Sequence, residues 1–396
     1  MKIAFLTAGG IAPCLSASIA SLIHKYNDLC PEAELVGYLN GYRGLLLGES
    51  IAFPESVKKD FSVLYDYGGS PIGNSRVKLT NIEDCVKKGY VKEGSDPLEV
   101  AANQLTKDNI NILHTIGGDD TNTMAAQLSF YLEKNGYELT VVGLPKTVDN
   151  DVFPISQTLG AWTAAEQGAI FFENIINENT TSTRQLIIHE VMGRNCGWLT
   201  AQTAFEYRDR MKNREFIPEL LIDQSRWDID AVYIPESDFD FQTEVSRLKA
   251  VMDAKDGVNI FLSEGAGLET IVREMEEGGE EIPKDAFGHV RLDDINPGKW
   301  FAKQLSGALG AEKTLVQKSG YFARSAKPNN RDLQLIQKSA EIAVECAVAQ
   351  NNGLVGKDID NNNEIGLIEF ARIKGGKPFD PNTDWFCSLL NEIGQK

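Results

Sequence analysis

Residues 116–151 contain two loops, Gly117-Gly118-Asp119-Asp120-Thr121-Asn122 and Pro145-Lys146-Thr147-Val148-Asp149-Asn150-Asp151. A short apolar run precedes each loop, at residues 110–116 and 140–144, and residues 123–134 between them have helical spacing. The predicted order is strand, glycine-rich loop, helix, strand, acidic loop. In a parallel sheet both loops lie at the carboxyl ends of their strands, where ligands bind.

The residue types in these loops point to a phosphorylated ligand. Two glycines let backbone N–H groups approach an anion at the start of a helix. Asp119 and Asp120 would repel a phosphate unless a hard cation lies between them, and carboxylates with phosphate oxygens are the usual surroundings of Mg²⁺. Lys146 adds a positive charge for a phosphoryl group in transit, and Asp149 is a candidate general base. A plain turn and a capped, solvated loop would explain either segment alone, but not their occurrence on successive strands.

Both loops resemble the GGD and P-x-T-I/V-D-N-D motifs of the phosphofructokinase family, in its pyrophosphate-dependent branch. The resemblance implies an α/β fold of two Rossmann-like three-layer subdomains with mostly parallel sheets, and a length of 396 residues suits two subdomains. It implies a subdomain for diphosphate and Mg²⁺ over residues 1–160, with the C-terminal segment packing back on it. A fructose 6-phosphate subdomain would follow over residues 161–350, and a C-terminal extension over 351–396.

The composition excludes several other classes of protein. A net charge of −18 argues against a nucleic-acid partner and requires a locally basic pocket for phosphorylated substrates. We find no apolar run long enough for a membrane span, and we interpret the N-terminus as a first strand instead of a signal peptide. Six scattered cysteines indicate reduced thiols, which predicts a cytoplasmic protein. Acidic residues between 268 and 292 indicate a surface insertion, not a metal site.

Two further glycine-rich loops resemble donor-binding segments of the family. The first is Ala8-Gly9-Gly10, which follows a predicted strand over residues 2–7 and lacks the GxGxxG pattern of dinucleotide sites. The second, residues 68–76, ends in Arg76, whose guanidinium suits an anion. The resemblance implies that Gly10 and Arg76 contact the phosphoryl donor. The chain departs from the family pattern at Ile11, Cys14 and Asn74.

A second group of residues resembles the family's sugar-phosphate site. Met192, Gly193 and Arg194 follow a predicted strand and match its V-M-G-R segment, which holds the sugar phosphate. The resemblance also implies that Glu236 bonds to sugar hydroxyls, and that Tyr321 and Arg324 bind the phosphate of fructose 6-phosphate. Many relatives donate an arginine across a subunit interface from the position of Gln185. Here the arginine is Arg184, one residue earlier, so that contact is left open.

The resemblance implies a reversible pyrophosphate-dependent 6-phosphofructokinase of glycolysis and gluconeogenesis, and a homodimer or homotetramer. Asp119 would hold Mg²⁺, Lys146 would stabilise the transferring phosphoryl group, and Asp149 would take the proton from the attacking 1-hydroxyl. Thr147 and Asp151 would orient the sugar or the metal. In the ATP-using branch glycine commonly occupies the positions of Asp120 and Lys146. A carboxylate at Asp120 would repel the α-phosphate of ATP, which favours diphosphate as donor.

Three alternatives stay open. An ATP-dependent enzyme of the same fold would need Asp120 to turn away. A non-catalytic regulatory subunit is disfavoured because Asp119, Lys146 and Asp149 are all present. A lipid or NAD kinase shares a GGD loop but would not explain Met192-Gly193-Arg194. The sequence leaves undecided whether other sugar phosphates, such as sedoheptulose 7-phosphate, are also used.

Overall fold

The computed structural model describes residues 1–283 and 295–396. The chain forms two compact units, one of residues 1–163 with 324–377 and the other of residues 164–323 with 378–396. The predicted end of the second subdomain at residue 350 is therefore wrong. The helix Asn330–Val348 belongs to the first unit, because it packs on the helix Leu15–Leu29 and on the strand Thr140–Pro145. The predicted C-terminal extension is likewise divided between the two units.

The strands of the described residues form one sheet in each unit. In chain order they are β1 (Lys2–Thr7), β2 (Glu34–Tyr38), β3 (Ser50–Ala52), β4 (Ile112–Gly117), β5 (Thr140–Pro145), β6 (Gln185–Val191), β7 (Ala231–Tyr233), β8 (Gly257–Ser263), β9 (Lys313–Lys318), β10 (Gly353–Asp358) and β11 (Glu364–Ile368). The first unit has the order β11-β10-β5-β4-β1-β2-β3, with antiparallel pairs only at its two edges. The second has the order β7-β8-β6-β9 with every pair parallel. The α/β fold with mostly parallel sheets is therefore confirmed.

The helices between these strands agree with the predicted alternation. They are α1 (Leu15–Leu29), α2 (Tyr42–Leu47), α3 (Glu55–Lys59), α4 (Ile82–Lys87), α5 (Pro97–Lys107), α6 (Asp119–Lys134), α7 (Ala161–Ile175), α8 (Trp198–Met211), α9 (Gln224–Trp227), α10 (Phe241–Lys255), α11 (Leu268–Glu277), α12 (Pro297–Leu309), α13 (Gly320–Arg324), α14 (Asn330–Val348) and α15 (Asp384–Glu392). Short 3₁₀ helices cover Phe61–Asp66, Ile176–Thr180, Pro218–Leu220, Ile359–Asn361 and Phe370–Arg372. Among the described residues, no helix has the length and apolar character needed to cross a membrane.

The first sheet is buried on both faces. Ala4 and Leu6 on β1 belong to a core that also contains Leu105 of α5 and Leu128 of α6. Phe5, which points to the opposite face, packs on other aromatic rings. Burial on both faces explains the continuous apolar run of this strand, which is typical of parallel sheets with helices on both sides. The carboxyl ends of β1, β4 and β5 consequently lie together at one edge.

Helix α6 begins earlier than the spacing predicted, at Asp119 instead of residue 123. Gly118 precedes it in an extended conformation, and both aspartates lie in the first turn. Negative side chains are favourable there because the N-terminal end of a helix carries unpaired N–H groups and partial positive charge. The carboxylates are thereby held at the carboxyl end of β4.

In the second unit, aromatic and branched side chains form the core between the sheet and its helices. Its core contains Leu186, Tyr233, Ile260 and Phe301. The charge-rich segment predicted as a surface insertion begins as α11, whose Ile271 is buried. The rest of that segment, from residue 284 to 292, lies outside the described residues.

Candidate active site

Lys146 joins two of the loops in the first unit. Its Nζ donates a hydrogen bond of 2.7 Å to the backbone carbonyl of Gly10. Gly9 has a φ of +87°, and a Cβ there would lie 3.0 Å from the same Nζ, so the glycine backbone leaves room for the amine. Burial lowers the pKa of Lys146 to about 8, and the negative charge of Asp149 partly opposes this shift. A buried amine of this kind is suited to bind an anion.

The loop of residues 68–76 contacts the same glycines, Gly9 and Gly10. The Asn74 side chain donates to the carbonyl of Gly9 at 2.5 Å, and the N–H of Gly9 donates to the carbonyl of Ser75 at 2.8 Å. A Cβ on Gly10 would lie 3.6 Å from Nη2 of Arg76. The structure therefore brings Gly10, Arg76 and Lys146 together as a positive site within an acidic protein.

Acidic side chains meet beside this site. Burial raises the pKa of Asp119, and the carboxylates of Asp120 and Asp151 raise it further, whereas the N–H of Asp120 and the charge of Lys78 lower it. Asp120 is exposed and forms an ion pair of 2.5 Å with Nζ of Lys78. Lys78 was not predicted from the sequence, because no local pattern links it to a residue on another element.

The acidic loop is shaped by its own side chains. Asn150 has a φ of +56°, and its amide oxygen accepts the N–H of Thr158 at 2.9 Å. Thr147 donates its hydroxyl to Asp151 at 3.1 Å and accepts the N–H of Asp149 at 3.2 Å. These bonds fix the backbone that carries Asp149. Thr147 and Asp151 thus bond to each other, which the predicted roles did not require.

A C-terminal segment, residues 373–377, contacts both the glycine-rich loop and the acidic loop, and we call it the strap. Lys374 exchanges two backbone hydrogen bonds with Phe153, of 2.8 and 3.0 Å. The N–H of Lys377 donates to the carbonyl of Asp151 at 2.8 Å. A Cβ on Gly375 would lie only 1.8 Å from Oδ2 of Asp119. The strap was not predicted from the sequence, because nothing in its composition indicates which loops it contacts.

The carboxylates of the first unit suit a Mg²⁺ ion that is shared with substrate and water. They do not form a site in which protein side chains alone would surround a metal. Among residues 1–283 and 295–396, no group of three or more His, Cys, Asp or Glu side chains is arranged to hold an ion by itself. Mg²⁺ is commonly held by one or two carboxylates together with waters and substrate phosphates. Asp119, with its pKa raised by burial and by Asp120 and Asp151, is suited to such shared coordination.

In the second unit, Met192, Gly193 and Arg194 follow β6 in a compact turn. Gly193 has a φ of +128°, and a Cβ there would lie 2.4 Å from the carbonyl oxygen of Cys196, so only glycine fits. The carbonyl of Gly193 accepts a hydrogen bond from the hydroxyl of Ser263 on β8. The start of α13 lies beside this turn, since a Cβ on Gly320 would lie 3.2 Å from Sδ of Met192.

Glu236 is occupied by backbone groups. Its two carboxylate oxygens accept the N–H of Gly197, both at 3.0 Å, and Oε1 also accepts the N–H of Phe379 at 2.8 Å. Gly197 immediately precedes α8, so this carboxylate holds the start of that helix. Its predicted bond to a sugar hydroxyl stays a prediction, and the structural role is one that the sequence did not indicate.

A cavity of about 610 Å³ in the second unit is lined by Arg194 and Glu236. The aromatic residues Phe239, Phe241 and Trp300 also line it. Of the other predicted residues, Tyr321 is 82% exposed on α13, and Arg324 ends that helix. The structure thus brings Arg194 and Glu236 to one cavity, and does not place Tyr321 among its lining residues.

A model of the family described as phosphofructokinase matches residues 2–347 of the chain. The chain belongs to the phosphofructokinase family. It is 59% identical over 394 residues to a pyrophosphate–fructose 6-phosphate 1-phosphotransferase of Methylomonas methanica, covering 100% of this chain and 96% of the relative. It is 55% identical over 393 residues to the protein of the same name from Mastigamoeba balamuthi, covering 99% and 96%.

The phosphofructokinase fold is also that of a solved structure described as a pyrophosphate-dependent phosphofructokinase from Nitrosospira multiformis. The TM-score is 0.71 at 19% identity, covering 99% of this chain and 91% of the other. At this identity the likeness concerns the fold alone. It agrees with the two units and mostly parallel sheets described above.

Arg184 of this phosphofructokinase is engaged within its own unit. Its guanidinium donates to the carbonyls of Leu309 and Gly310, at 2.6 and 2.7 Å, and forms an ion pair of 2.9 Å with Asp253. Those carbonyls lie at the C-terminal end of α12, where helices leave acceptors unsatisfied. Arg184 therefore caps a helix, which disfavours it as a phosphate ligand for a neighbouring subunit.

Proposed function

We propose that this phosphofructokinase transfers a phosphoryl group reversibly from diphosphate to the 1-hydroxyl of fructose 6-phosphate, with Mg²⁺. The products are fructose 1,6-bisphosphate and phosphate. The observation that carries the proposal is the presence of both Lys146, buried beside Gly10, and Asp120, in the first turn of α6. Relatives that are 55–59% identical over nearly their whole length carry this activity in their names.

The donor is small and highly charged, so its binding depends on local positive charge. Lys146 and Arg76 flank Gly10, whose backbone allows close approach of an anion. Asp120 adds a carboxylate that would repel the longer phosphate chain of ATP. The ion pair with Lys78 holds this carboxylate in place and offsets part of its charge for the smaller donor.

Proton removal from the attacking hydroxyl is assigned to Asp149. The hydrogen bonds of Thr147 and Asn150 fix the loop that carries it, which supports in-line positioning of a general base. Asp119 would hold Mg²⁺, and Thr147 and Asp151 would orient the metal or the sugar. The ion would neutralise negative charge on the diphosphate. Lys146 then stabilises charge that develops on the transferring phosphoryl group.

Sugar-phosphate binding is assigned to the second group of residues. Arg194 lines a cavity large enough for a hexose phosphate, and Gly193 offers backbone at a tight turn. Arg324 and Tyr321 on α13 would contribute a cation and a hydroxyl to the 6-phosphate. Met192 would position the sugar through contact with its backbone and side chain, and Glu236 would accept from a sugar hydroxyl.

The finer cellular assignments follow from the same proposal. All six cysteines are free thiols, which is typical of a cytoplasmic protein. We assign a homodimer or homotetramer, because the family resemblance implies that symmetric assembly. Light scattering at several protein concentrations tests this state independently of activity.

The experiment that tests the function compares diphosphate with ATP as donor, with fructose 6-phosphate and Mg²⁺. The wild type, Asp120→Gly and Asp120→Asn are assayed together, because Asn keeps the size of the side chain and removes its charge. We expect wild-type turnover with diphosphate alone, and ATP use that emerges most clearly with Gly. Turnover with ATP and none with diphosphate would refute the donor assignment. No turnover with either donor would favour a regulatory subunit.

A further inference from the structure

We propose that the strap, residues 373–377, positions the carboxylate of Asp119, and that Gly375 is the positioning residue through which it acts. The inference rests on the proposed function, because Asp119 is there assigned to the Mg²⁺ that accompanies diphosphate. The strap lies far along the chain from both acidic loops and belongs to no motif noted in the sequence. Its role is supported by three separate observations.

The first observation is the contact itself. A Cβ on Gly375 would lie 1.8 Å from Oδ2 and 2.6 Å from Cγ of Asp119. Glycine at this position therefore brings main chain against the carboxylate, at a distance that any side chain would prevent. Since a carboxylate rotates about its side-chain bonds, a methyl group would displace it more easily than it would displace the backbone. The position of Asp119 thus depends on the absence of a side chain at residue 375.

The second observation is that the strap is anchored on both sides of Gly375. On one side, Lys374 exchanges two backbone hydrogen bonds with Phe153, and Ile373 is buried in a small core with Val152 and Ile155. On the other side, the N–H of Lys377 donates to the carbonyl of Asp151 and its Nζ donates to the carbonyl of Ile155. A segment fixed at both ends can hold a neighbouring carboxylate, which a loose loop could not.

The third observation is that these anchors lie at the end of the acidic loop and in the residues directly after it, whereas the contact lies on the glycine-rich loop. The strap consequently links the backbone of Asp151 to the side chain of Asp119. Residues that orient a metal ligand from outside the coordination shell commonly change metal affinity or activity by about 10- to 100-fold when altered.

Gly375→Ala tests the inference, with Gly366→Ala as its matched control. Neither glycine has a positive φ, so alanine is compatible with both backbones. A Cβ at Gly366, on β11, would meet no atom within 4 Å, whereas at Gly375 it meets Asp119. The two variants therefore add the same methyl group to the same C-terminal region, and differ in the contact with the carboxylate.

Mn²⁺ binding in the presence of diphosphate is measured by electron paramagnetic resonance, without fructose 6-phosphate and hence without turnover. We expect Gly375→Ala to weaken Mn²⁺ binding and raise the Mg²⁺ concentration for half-maximal activity, each by about tenfold or more. The KM for fructose 6-phosphate should stay unchanged, as should every property of Gly366→Ala. Wild-type Mn²⁺ affinity and Mg²⁺ dependence in Gly375→Ala would overturn the inference.

Lys377→Ala keeps the inference testable if Gly375→Ala does not fold. It removes one anchor of the strap without adding an atom near Asp119, so we expect a smaller loss of Mn²⁺ affinity in the same direction. Unchanged Mn²⁺ binding in Lys377→Ala, with Gly375→Ala unfolded, would overturn the inference. A wild type that does not use diphosphate would refute the proposed function, while the comparison of Mn²⁺ affinities would still decide whether the strap positions Asp119.

Discussion

The Nζ of Lys146 donates a hydrogen bond of 2.7 Å to the carbonyl of Gly10, 136 positions earlier in the chain. This bond joins the loop after β1 to the loop after β5, and the amine is almost fully buried. Burial and this hydrogen bond restrict the side chain of Lys146 to one conformation. It presents its charge at a fixed point, which is the property required to stabilise a phosphoryl group during transfer.

We predict that Lys146→Met lowers kcat by about 10²- to 10³-fold, since one preorganised charge at a transferring group is lost. The KM for fructose 6-phosphate should change little, because the lysine is assigned to the transition state and the donor. Steady-state kinetics with diphosphate and fructose 6-phosphate check this. Lys107→Met, at the exposed end of α5, is the control for loss of a positive charge. An equal effect of both substitutions would contradict the prediction.

The pKa of Lys146, lowered by burial to about 8 from 10.5, gives a second prediction. Between about pH 8 and 10.5 the unfolded chain binds more protons at this lysine than the folded chain, so its contribution to stability rises with pH. Relative to wild type, Lys146→Met should therefore be most stabilised below pH 8 and lose this advantage towards pH 10.5. Urea unfolding at pH 7 and pH 10 measures the difference. A difference independent of pH would contradict the assigned pKa.

The Lys78–Asp120 ion pair should matter for the donor more than for the fold. Both side chains are substantially exposed, and exposed pairs contribute about 0–1 kcal/mol to stability. Lys78→Met should therefore leave urea unfolding nearly unchanged while raising the KM for diphosphate, because Asp120 would repel the donor without compensation. Lys78→Arg should restore most of the affinity. A large loss of stability with an unchanged KM would show that the pair is structural.

The parts of the fold that could be predicted are those with a local cause. Residues 110–116 and 140–144 are mostly apolar because β4 and β5 are buried on both faces, and their loops follow directly. By contrast, β3 has only exposed residues, and β9 (Lys313–Lys318) places its two apolar residues, Leu315 and Val316, side by side between polar ones. Neither strand has the alternation that indicates a sheet, so both were missed.

The candidate site was predictable where one loop carries several of its residues, as with Lys146 and Asp149. It was not predictable where two distant segments meet. The contact of Gly375 with Asp119 depends on how β10 and β11 bring the C-terminal segment back to the first sheet. Nothing local in the sequence specifies that return, and a glycine whose function is to leave space has no chemical pattern of its own.

Because Arg184 caps α12, its substitution can distinguish a role in stability from a role in phosphate binding. Arg184→Ala removes two hydrogen bonds to the end of α12 and an ion pair with Asp253. We expect a loss of about 1–3 kcal/mol in the free energy of unfolding, because hydrogen bonds from a charged donor are lost. The KM for fructose 6-phosphate should remain that of the wild type. A raised KM without loss of stability would instead support the hypothesis that Arg184 contacts the phosphate across a subunit interface.

Glu236 combines a predicted ligand role with an observed structural one, and Glu236→Gln distinguishes them. The amide has one oxygen where the carboxylate has two, so it cannot accept the N–H groups of Gly197 and Phe379 in the present geometry without turning its NH₂ towards one of them. We expect a loss of about 1–3 kcal/mol in stability, because hydrogen bonds to a charged acceptor are replaced by weaker ones. Urea unfolding measures this loss, and the KM for fructose 6-phosphate measures the ligand role. A raised KM at unchanged stability would assign Glu236 to the sugar alone. Lost stability with an unchanged KM would assign it to the start of α8.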